Sequence, residues 1–314
     1  MGFLLFIEAG LLMLCQFVAW TYDEGVKEFS PAIVLSLLLG VVGVLLGKRA
    51  GKKMGRKDGY IVVSLVWTIF TLIGMTPFLL DGHVPDVASA FFETMSGFTS
   101  TGATIIDDLD AMPRGLLFWR SLTQWIGGIG IVFFTIAILP AFGVGEVKLV
   151  AAESTGPLHD KVHSRISVAA KWIGGIYVML TLLCILSLLL CGMPAFDAIN
   201  YSLCTTATGG YGTHSALLGD YYHSPAIEYV LIFFMFVSGV NYTLIYYTIL
   251  KGKVKKFFGD AELTTYLVIV LISSLICTVV LVLCNYTNDI EEAIRQSLFT
   301  VISMQTTTGL ATVD

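Results

Sequence analysis

The chain has 314 residues, of which 56% are hydrophobic and 13% charged, and its formal net charge is −5. Soluble domains carry about 25% charged residues, so this composition excludes an ordinary soluble protein and predicts one embedded in membrane lipid. The basic residues gather in short loops between apolar segments, and the absence of a basic stripe argues against nucleic acid as a partner.

Seven apolar segments along the chain are interpreted as membrane-spanning helices. They are Phe3–Trp20, Ala32–Gly47, Tyr60–Leu80, Leu116–Leu139, Trp172–Leu190, Ile227–Leu250 and Thr265–Cys284. The first has neither the basic start nor the small-residue cleavage site of a signal peptide, so we interpret it as a retained helix. The sequence therefore predicts a multi-pass membrane protein.

Two basic loops indicate the orientation of these segments. Lys48–Lys57 separates the second and third segments, and the positive-inside rule places it in the cytoplasm. Alternation then places the N-terminus in the cytoplasm as well. The second basic loop, Lys251–Lys256, falls on the same side, which agrees with this orientation.

Three Thr-Gly steps recur about every hundred residues, each after a short apolar run. The runs are Ala88–Phe98, Phe196–Thr206 and Glu292–Gln305, followed by Gly102, Gly209 and Gly309. Each run is too short to cross a bilayer, which takes about 20 residues of helix. Similarity at a nearly fixed period indicates repeated units, each consisting of a helix, a re-entrant half-helix, a filter and a second helix.

The glycine in each repeat suggests the chemistry. Non-helical backbone at membrane depth persists only where protein buries it or where it lines a watery path. Glycine adopts positive φ at little steric cost, so successive carbonyls can face the same side, and a ring of carbonyls replaces a cation's hydration shell. The pattern predicts a cation-selective pore. Outer carboxylates such as Asp107 and Asp220 would attract cations, while Asp86, Asp197 and Asp289 equally suit helix N-caps.

The repeats predict four stretches of chain. Residues 1–58 form two N-terminal helices, 59–145 a first pore unit, 146–256 a second unit with its cytoplasmic loop, and 257–314 part of a third unit. A closed ring normally needs four units, and here the third ends just after its filter. We therefore expect the sequence to belong to a longer protein.

Seven motifs along the chain carry a family resemblance. They are Ala90–Thr104, Gln124–Gly130, Ile138–Gly145, Gly156-Pro157-Leu158, Phe196-Asp197-Ala198-Ile199, Ser238–Tyr242 and Ser303–Leu310. With these motifs the sequence resembles the Trk/Ktr/HKT superfamily of cation transporters, most closely its bacterial TrkH-type members. The resemblance implies an all-α polytopic membrane protein. In this fold, helix–pore loop–helix units surround a pseudo-fourfold ion path and follow two extra transmembrane helices.

The resemblance also implies potassium uptake across the bacterial cytoplasmic (inner) membrane, with this chain as the pore-forming subunit. Backbone carbonyls of three short filters would bind the ion. Carried onto this sequence, the filters are Ser100, Thr101 and Gly102, then Ala207, Thr208 and Gly209, then Thr307, Thr308 and Gly309. Potassium is the implied transported ligand, with no cofactor. The implied partners are a second copy of the subunit and a cytosolic nucleotide-binding regulatory subunit of TrkA type.

Four polar residues within the apolar segments are candidates for supporting roles. Arg120 and Gln124 lie four residues apart and therefore share a helix face. For Arg120, snorkelling or a structural pair with Glu93 or an outer aspartate is favoured over a transport role. Glu93 either packs against Arg120 or adds charge behind the filter. Asn241 is expected to form a hydrogen bond with a neighbouring helix.

Two other functions are compatible with broken membrane helices. A secondary transporter of another small solute also uses broken helices, but usually with inverted repeats, whereas each complete unit here begins and ends inside. A non-conducting fragment of a longer transporter is a further alternative. No catalytic constellation stands out at one membrane depth, so the sequence predicts no enzyme.

Overall fold

The structure, a computed structural model, describes residues 2–48, 56–84, 86–142, 158–251, 259–287 and 289–313. Within these ranges the chain forms thirteen α-helices and no strand. The predicted all-α class is confirmed. The chain divides into two compact units, Met1–Val162 and His163–Asp314, which are described separately.

The helices fall in the following order. The first unit holds α1 (Gly2–Thr21), α2 (Ser30–Gly47), α3 (Arg56–Gly74), α4 (Thr76–Asp81), α5 (Val87–Phe98), α6 (Arg114–Phe142) and the start of α7 (Leu158–Leu190). The second holds the rest of α7, then α8 (Ala195–Thr206), α9 (Leu218–Tyr222), α10 (Pro225–Ser238), α11 (Tyr242–Lys251), α12 (Ala261–Leu283) and α13 (Ile290–Gln305).

Five helical stretches among the described residues are long and apolar enough to cross a membrane. They are Gly2–Thr21, Ser30–Gly47, Ser64–Asp81, Lys171–Leu190 and Ala261–Leu283, and they coincide with five of the seven predicted segments. The predicted segment Leu116–Leu139 lies within α6, where side chains after Gly130 are outside the described residues. The multi-pass prediction is therefore supported by helix length and composition.

The remaining predicted segment, Ile227–Leu250, is not one continuous helix. Helix α10 ends at Ser238 and α11 begins at Tyr242. The backbone N–H of Thr243 donates to Asn241 Oδ1 at 3.0 Å, so the asparagine side chain caps the new helix. The prediction of an unbroken span was wrong because it considered hydropathy alone and overlooked the helix cap that Asn241 provides, two residues after Gly239.

Several predicted features fall outside the described residues. These include Arg49–Gly55 of the first basic loop, residues 252–258 around the second, and residues 143–157 of the inner loop with the Gly156-Pro157 step. The orientation that rests on the two basic loops therefore stays a prediction. The same holds for the three boundaries between the four predicted stretches of chain.

Small residues bring the helices of the first unit close together. A methyl group added at Gly40 of α2 would lie 2.9 Å from the ring of Phe6 in α1. Between the same helices, Ser36 donates to the buried carboxylate of Glu8 at 2.9 Å. The loop after α1 caps α6, because the two carboxylate oxygens of Glu24 accept from the first backbone N–H groups of that helix, at 2.7 and 2.9 Å.

The short helix α5 is held by aromatic packing at its C-terminal end. Phe98 is fully buried, and its ring centroid lies 6.2 Å from that of Trp67, 5.8 Å from that of Phe70 and 6.0 Å from that of Trp119. Trp119 Nε1 in turn donates to the carbonyl of Gly74, at the end of α3, at 2.9 Å. Such aromatic contacts fix both the position and the direction of the short helix.

The second unit is built around an apolar core that surrounds the short helices α8 and α13. Its completely buried side chains include Cys184, Leu188, Leu231, Met235 and Phe299. They come from α7, α10 and α13. Because α13 contributes Phe299 to this core, its position depends on the spanning helices beside it.

We predict that Gly127→Ala destabilises the protein by about 1–3 kcal/mol, the usual range for overpacking. A methyl carbon at this position in α6 would lie 2.1 Å from the carbonyl oxygen of Phe98, a backbone atom that cannot move aside cheaply. Gly175→Ala is the matched control, because no atom lies within 4 Å of the added carbon in α7. Thermal unfolding of the two variants in detergent, followed by circular dichroism, tests this. Equal midpoints would contradict the close contact.

Candidate functional site

The three short helices end in the same way. They contain 12, 12 and 16 residues, less than the roughly 20 needed to cross the bilayer. Beyond each end, a backbone N–H reaches back five residues to a carbonyl, as is common at helix C-termini. The bonds are Thr101 to Ser96 at 2.9 Å, Gly209 to Cys204 at 2.9 Å and Thr308 to Ser303 at 2.8 Å.

The backbone that follows also repeats. In each case a non-glycine residue with positive φ precedes, by two positions, a glycine with positive φ. The pairs are Ser100 (52°) with Gly102 (77°), Thr208 (51°) with Gly210 (77°), and Thr307 (57°) with Gly309 (81°). We call residues 100–102, 208–210 and 307–309 the filter segments. A positive φ is rare outside glycine, so its threefold recurrence marks a specified conformation.

The second filter segment differs by one residue from the sequence prediction. The prediction placed the key glycine at Gly209 and began the filter at Ala207, whereas the left-handed glycine is Gly210 and Ala207 is the helix C-cap, with φ −76°. The reason is steric, since a Cβ at position 210 would lie 1.8 Å from the carbonyl oxygen of Thr308. The corrected segment is Thr208, Gly209 and Gly210, and the same contact places the second and third filter segments side by side.

Two serines hold the extended segments that leave the first and third filter segments, and neither serine was predicted from the sequence. Ser96 Oγ donates to the carbonyl of Ala103 at 2.6 Å, and Ser303 Oγ donates to that of Leu310 at 2.6 Å. Each serine stands six residues before its left-handed glycine, and Cys204 holds that position in the second repeat. This constant offset was a signal that the sequence offered.

A buried ion pair supports the first filter segment. Arg120 Nε donates to Glu93 Oε1 at 2.8 Å, and both residues are 1% exposed. The same carboxylate accepts from the hydroxyl of Thr104, at 3.1 and 3.0 Å, and from the backbone N–H of Ile105 at 3.1 Å. The interpretation that Glu93 packs against Arg120 is confirmed. The pair ties α5, α6 and the irregular segment after the filter together.

Gln124 also meets this segment, although through its backbone. The hydroxyl of Ser100 donates to the carbonyl oxygen of Gln124 at 3.1 Å. Because Arg120 and Gln124 lie on the same face of α6, this helix contacts both the first filter segment and the irregular segment beyond it. Asn241, the fourth predicted supporting residue, donates to Glu262 of α12 at 3.3 Å, as expected for a contact with a neighbouring helix.

Aspartates cap two of the three short helices. Asp86 accepts from the backbone N–H of Ser89 at 2.9 Å, and this hydrogen bond is the largest cause that lowers the pKa of Asp86 below its usual value. Asp289 accepts from Glu291 N–H at 2.9 Å, so both predicted caps are confirmed. The prediction for Asp197 was wrong, because Pro194 occupies the N-cap of α8 and Asp197 lies within the first turn.

Asp197 instead anchors the loop after the second filter segment. Its two oxygens accept from Thr213 Oγ1 at 2.7 Å and from the hydroxyl of Tyr222 at 2.6 Å. Burial, together with the bond to Asp197, raises the pKa of Tyr222, so the phenol remains a donor. His214 lies 3.4 Å from the same carboxylate and stacks on Tyr221.

A second buried pair joins α10 to α13. Arg295 Nη1 donates to Glu228 Oε2 at 2.6 Å, and Arg295 Nε donates to Glu291 Oε1 at 3.0 Å. Arg295 is on the short helix here, whereas in the first unit the short helix carries the acid. Both units therefore use an ion pair to fix a short helix against a neighbouring helix.

Comparison with known proteins agrees with this architecture. The family model for TrkH, described as a cation transport protein, matches residues 26–314. The chain belongs to the TrkH family of cation transport proteins. This TrkH-family chain also resembles the crystal structure of the potassium transporter TrkH from Vibrio parahaemolyticus. The TM-score is 0.88 at 32% identity, and the match covers 99% of this chain and 64% of that one.

Similar curated relatives include the Trk system potassium uptake proteins TrkH of Salmonella typhimurium, 38% identical over 316 residues, and of Escherichia coli K12, 37% identical. In both cases the match covers 99% of this chain and 65% of the relative. The chain thus spans about two thirds of the length of the curated relatives it matches.

We predict that Arg120→Gln destabilises the protein by about 3–5 kcal/mol, because it leaves the Glu93 carboxylate buried without its cation. The double variant Glu93→Gln, Arg120→Gln should recover much of this loss. Arg114→Gln is the control, since Arg114 is the first residue of α6 and its guanidinium lies over the ring of Tyr22, 4.4 Å from the ring centroid. Thermal unfolding in detergent measures all three. A double variant no more stable than Arg120→Gln would contradict the pairing.

Proposed function

We propose that the chain forms part of a potassium-conducting subunit whose filter segments bind the ion through backbone carbonyls. The observation that carries the proposal is the alternation of left-handed residues at positions 100 and 102, 208 and 210, and 307 and 309. With this alternation successive carbonyls face the same side, unlike those of a regular strand. The names of the TrkH relatives, which are potassium uptake proteins, support the choice of ion.

The short helices support the same function electrostatically. Each filter segment follows the C-terminal end of a helix, where the unpaired carbonyls of the last turn carry partial negative charge. Each such end stabilises a cation beside it without a full charge. A potassium ion bound in this way can also leave again, which conduction requires.

The charged residues near the first filter segment have a structural role. The carboxylate of Glu93 is compensated by Arg120 and is further occupied by Thr104 and Ile105. A compensated carboxylate adds little to the field at the ion. We infer that selectivity comes from the carbonyls of the filter segments. Glu93 and Arg120 position the irregular segment that leaves the first filter segment.

The proposed setting is the bacterial inner membrane, with the N-terminus in the cytoplasm. This orientation rests on the two basic loops. The same proposal includes two partners of the subunit, namely a second copy of it and a cytosolic nucleotide-binding subunit of TrkA type. Both partners come from the family resemblance. Binding of potassium as a transported ion needs no further cofactor in this account.

We predict that Gly102→Ser and Gly210→Ser each lower the preference for potassium over sodium about tenfold. A side chain at positive φ costs roughly 1–2 kcal/mol, and about 1.4 kcal/mol corresponds to a factor of ten in occupancy. Asp107→Asn is the control, because water and salt screen an exposed outer charge over about 8 Å. Potassium-limited growth and rubidium and sodium uptake would be measured in a strain without its own potassium uptake, expressing each variant from the complete gene.

The control determines how the result is interpreted. If Gly102→Ser leaves the ion preference unchanged while Asp107→Asn abolishes it, selectivity lies in the outer carboxylates and the carbonyl account fails. If the unaltered protein carries sodium as readily as potassium, the proposed function itself fails.

A further inference from the structure

Two threonines at the third filter segment form a buried hydroxyl pair. Thr306 is the C-cap of α13, and Thr308 is the middle residue of the filter segment that follows. Their hydroxyl oxygens lie 2.7 Å apart, and the two residues are 8% and 1% exposed. The hydroxyl of Thr306 also lies 2.7 Å from the carbonyl oxygen of Ile302, in the last turn of α13. The pair therefore joins this filter segment to the end of its short helix.

The donors in this pair follow from the chemistry of the groups. A carbonyl oxygen only accepts, so the single hydrogen of the Thr306 hydroxyl goes to Ile302, and the hydroxyl of Thr308 donates to Thr306 Oγ1. A threonine that bonds back to its own helix is common and indicates no function by itself. Thr308, however, lies beyond the helix, and its hydroxyl holds a filter residue to the helix end.

The same pair recurs at the first filter segment. Thr99 and Thr101 hold the same two positions before the filter glycine, and their hydroxyl oxygens also lie 2.7 Å apart. Thr99 donates to the carbonyl of Met95 at 2.8 Å, as Thr306 does in its own helix. At the second filter segment Ala207 and Gly209 hold these positions, so neither carries a hydroxyl. The two threonines are present together or absent together, as expected if they act as a pair.

The second filter segment leans on the third through the carbonyl of Thr308. A Cβ at Gly210 would lie 1.8 Å from this carbonyl oxygen. Thr308 itself is held twice, because its N–H donates to the carbonyl of Ser303 at 2.8 Å and its hydroxyl donates to Thr306. The methyl group of Thr306 faces α10, since a carbon added at Gly239 would lie 2.8 Å from it. If Thr308 turned, its carbonyl would move against Gly210.

We propose that Thr306 and Thr308 are positioning residues for ion selection. Their hydroxyl bond holds the carbonyl of Thr308 in place, and through this carbonyl it positions the second filter segment, which has no threonine pair of its own. The hydroxyls act through the backbone and are not themselves ligands of the ion. This inference rests on the proposed function, because the position of a carbonyl matters for ion selection only if carbonyls bind the ion.

The ratio of rubidium to sodium uptake tests the proposal, with each variant expressed from the complete gene in a strain without its own potassium uptake. Thr306→Val and Thr308→Val each remove one hydroxyl at nearly constant volume. Each should lower the ratio about fivefold, the factor that corresponds to about 1 kcal/mol for one hydrogen bond. Thr308→Ser keeps the hydroxyl and should keep the ratio. A purely structural role would lower both fluxes through loss of protein and leave their ratio unchanged.

The double variant Thr306→Val, Thr308→Val tests whether the two residues act as a pair. Both single variants break the same bond, so the double variant should lower the ratio by about the same factor as one of them alone. Thr94→Val is the matched control, because this buried hydroxyl donates to the carbonyl of Ala90 within α5, at 2.8 Å. It should leave the ratio unchanged.

The outcomes separate this proposal from the proposed function. If Thr306→Val and Thr308→Val keep the ratio while Gly210→Ser lowers it, the pair does not position the filter and the carbonyl account survives. If Gly210→Ser also keeps the ratio, both fail. A loss in Thr308→Ser as large as in Thr308→Val, or a loss in the double variant equal to the product of the single losses, would overturn the pairing. If one single variant carries neither ion, the other decides, because it breaks the same bond.

Discussion

The structure depends on keeping a left-handed backbone in place where the surroundings are apolar. Ser100, Thr208 and Thr307 each hold a positive φ although none is glycine, and such a residue costs of order 1–3 kcal/mol. This conformation persists only where the neighbouring structure specifies it from several sides. The backbone bonds at the helix ends, the hydroxyls of Ser96 and Ser303, and the close approach of Gly210 to Thr308 supply that specification.

Buried ion pairs in this protein hold short helices and the irregular segments next to them in position. Burying the Glu93 carboxylate alone in an apolar setting would cost free energy. Paired with Arg120 and bonded to Thr104, it fixes the irregular segment that follows the first filter segment. Arg295 performs the corresponding task between α10 and α13. In both places a charged pair with a neighbouring helix compensates for the limited packing area of a helix that has only 12 or 16 residues.

Much of the fold was predictable because it depends on local composition. Hydropathy located five of the spanning helices, and the repeat located the three short ones to within two residues at their starts. The pairing of Glu93 with Arg120 was also anticipated. The break at Gly239 was missed because its cause is a single side-chain cap by Asn241, which a hydropathy average cannot detect.

The register of the second filter segment was missed for a different reason. Thr208-Gly209 repeats the Thr-Gly dipeptide of the other two segments, and local similarity therefore favoured Gly209. The decisive constraint is a contact between Gly210 and the carbonyl of Thr308, about a hundred residues away in the sequence.

Anomalous diffraction from crystals of the protein soaked in thallium(I), a heavy substitute for potassium, tests the central claim most directly. The account predicts thallium density beside the carbonyl oxygens of residues 100–102, 208–210 and 307–309, and it predicts weaker density there in Gly210→Ser. Thallium found only at exposed outer carboxylates such as Asp107, with none beside any filter segment, would contradict it.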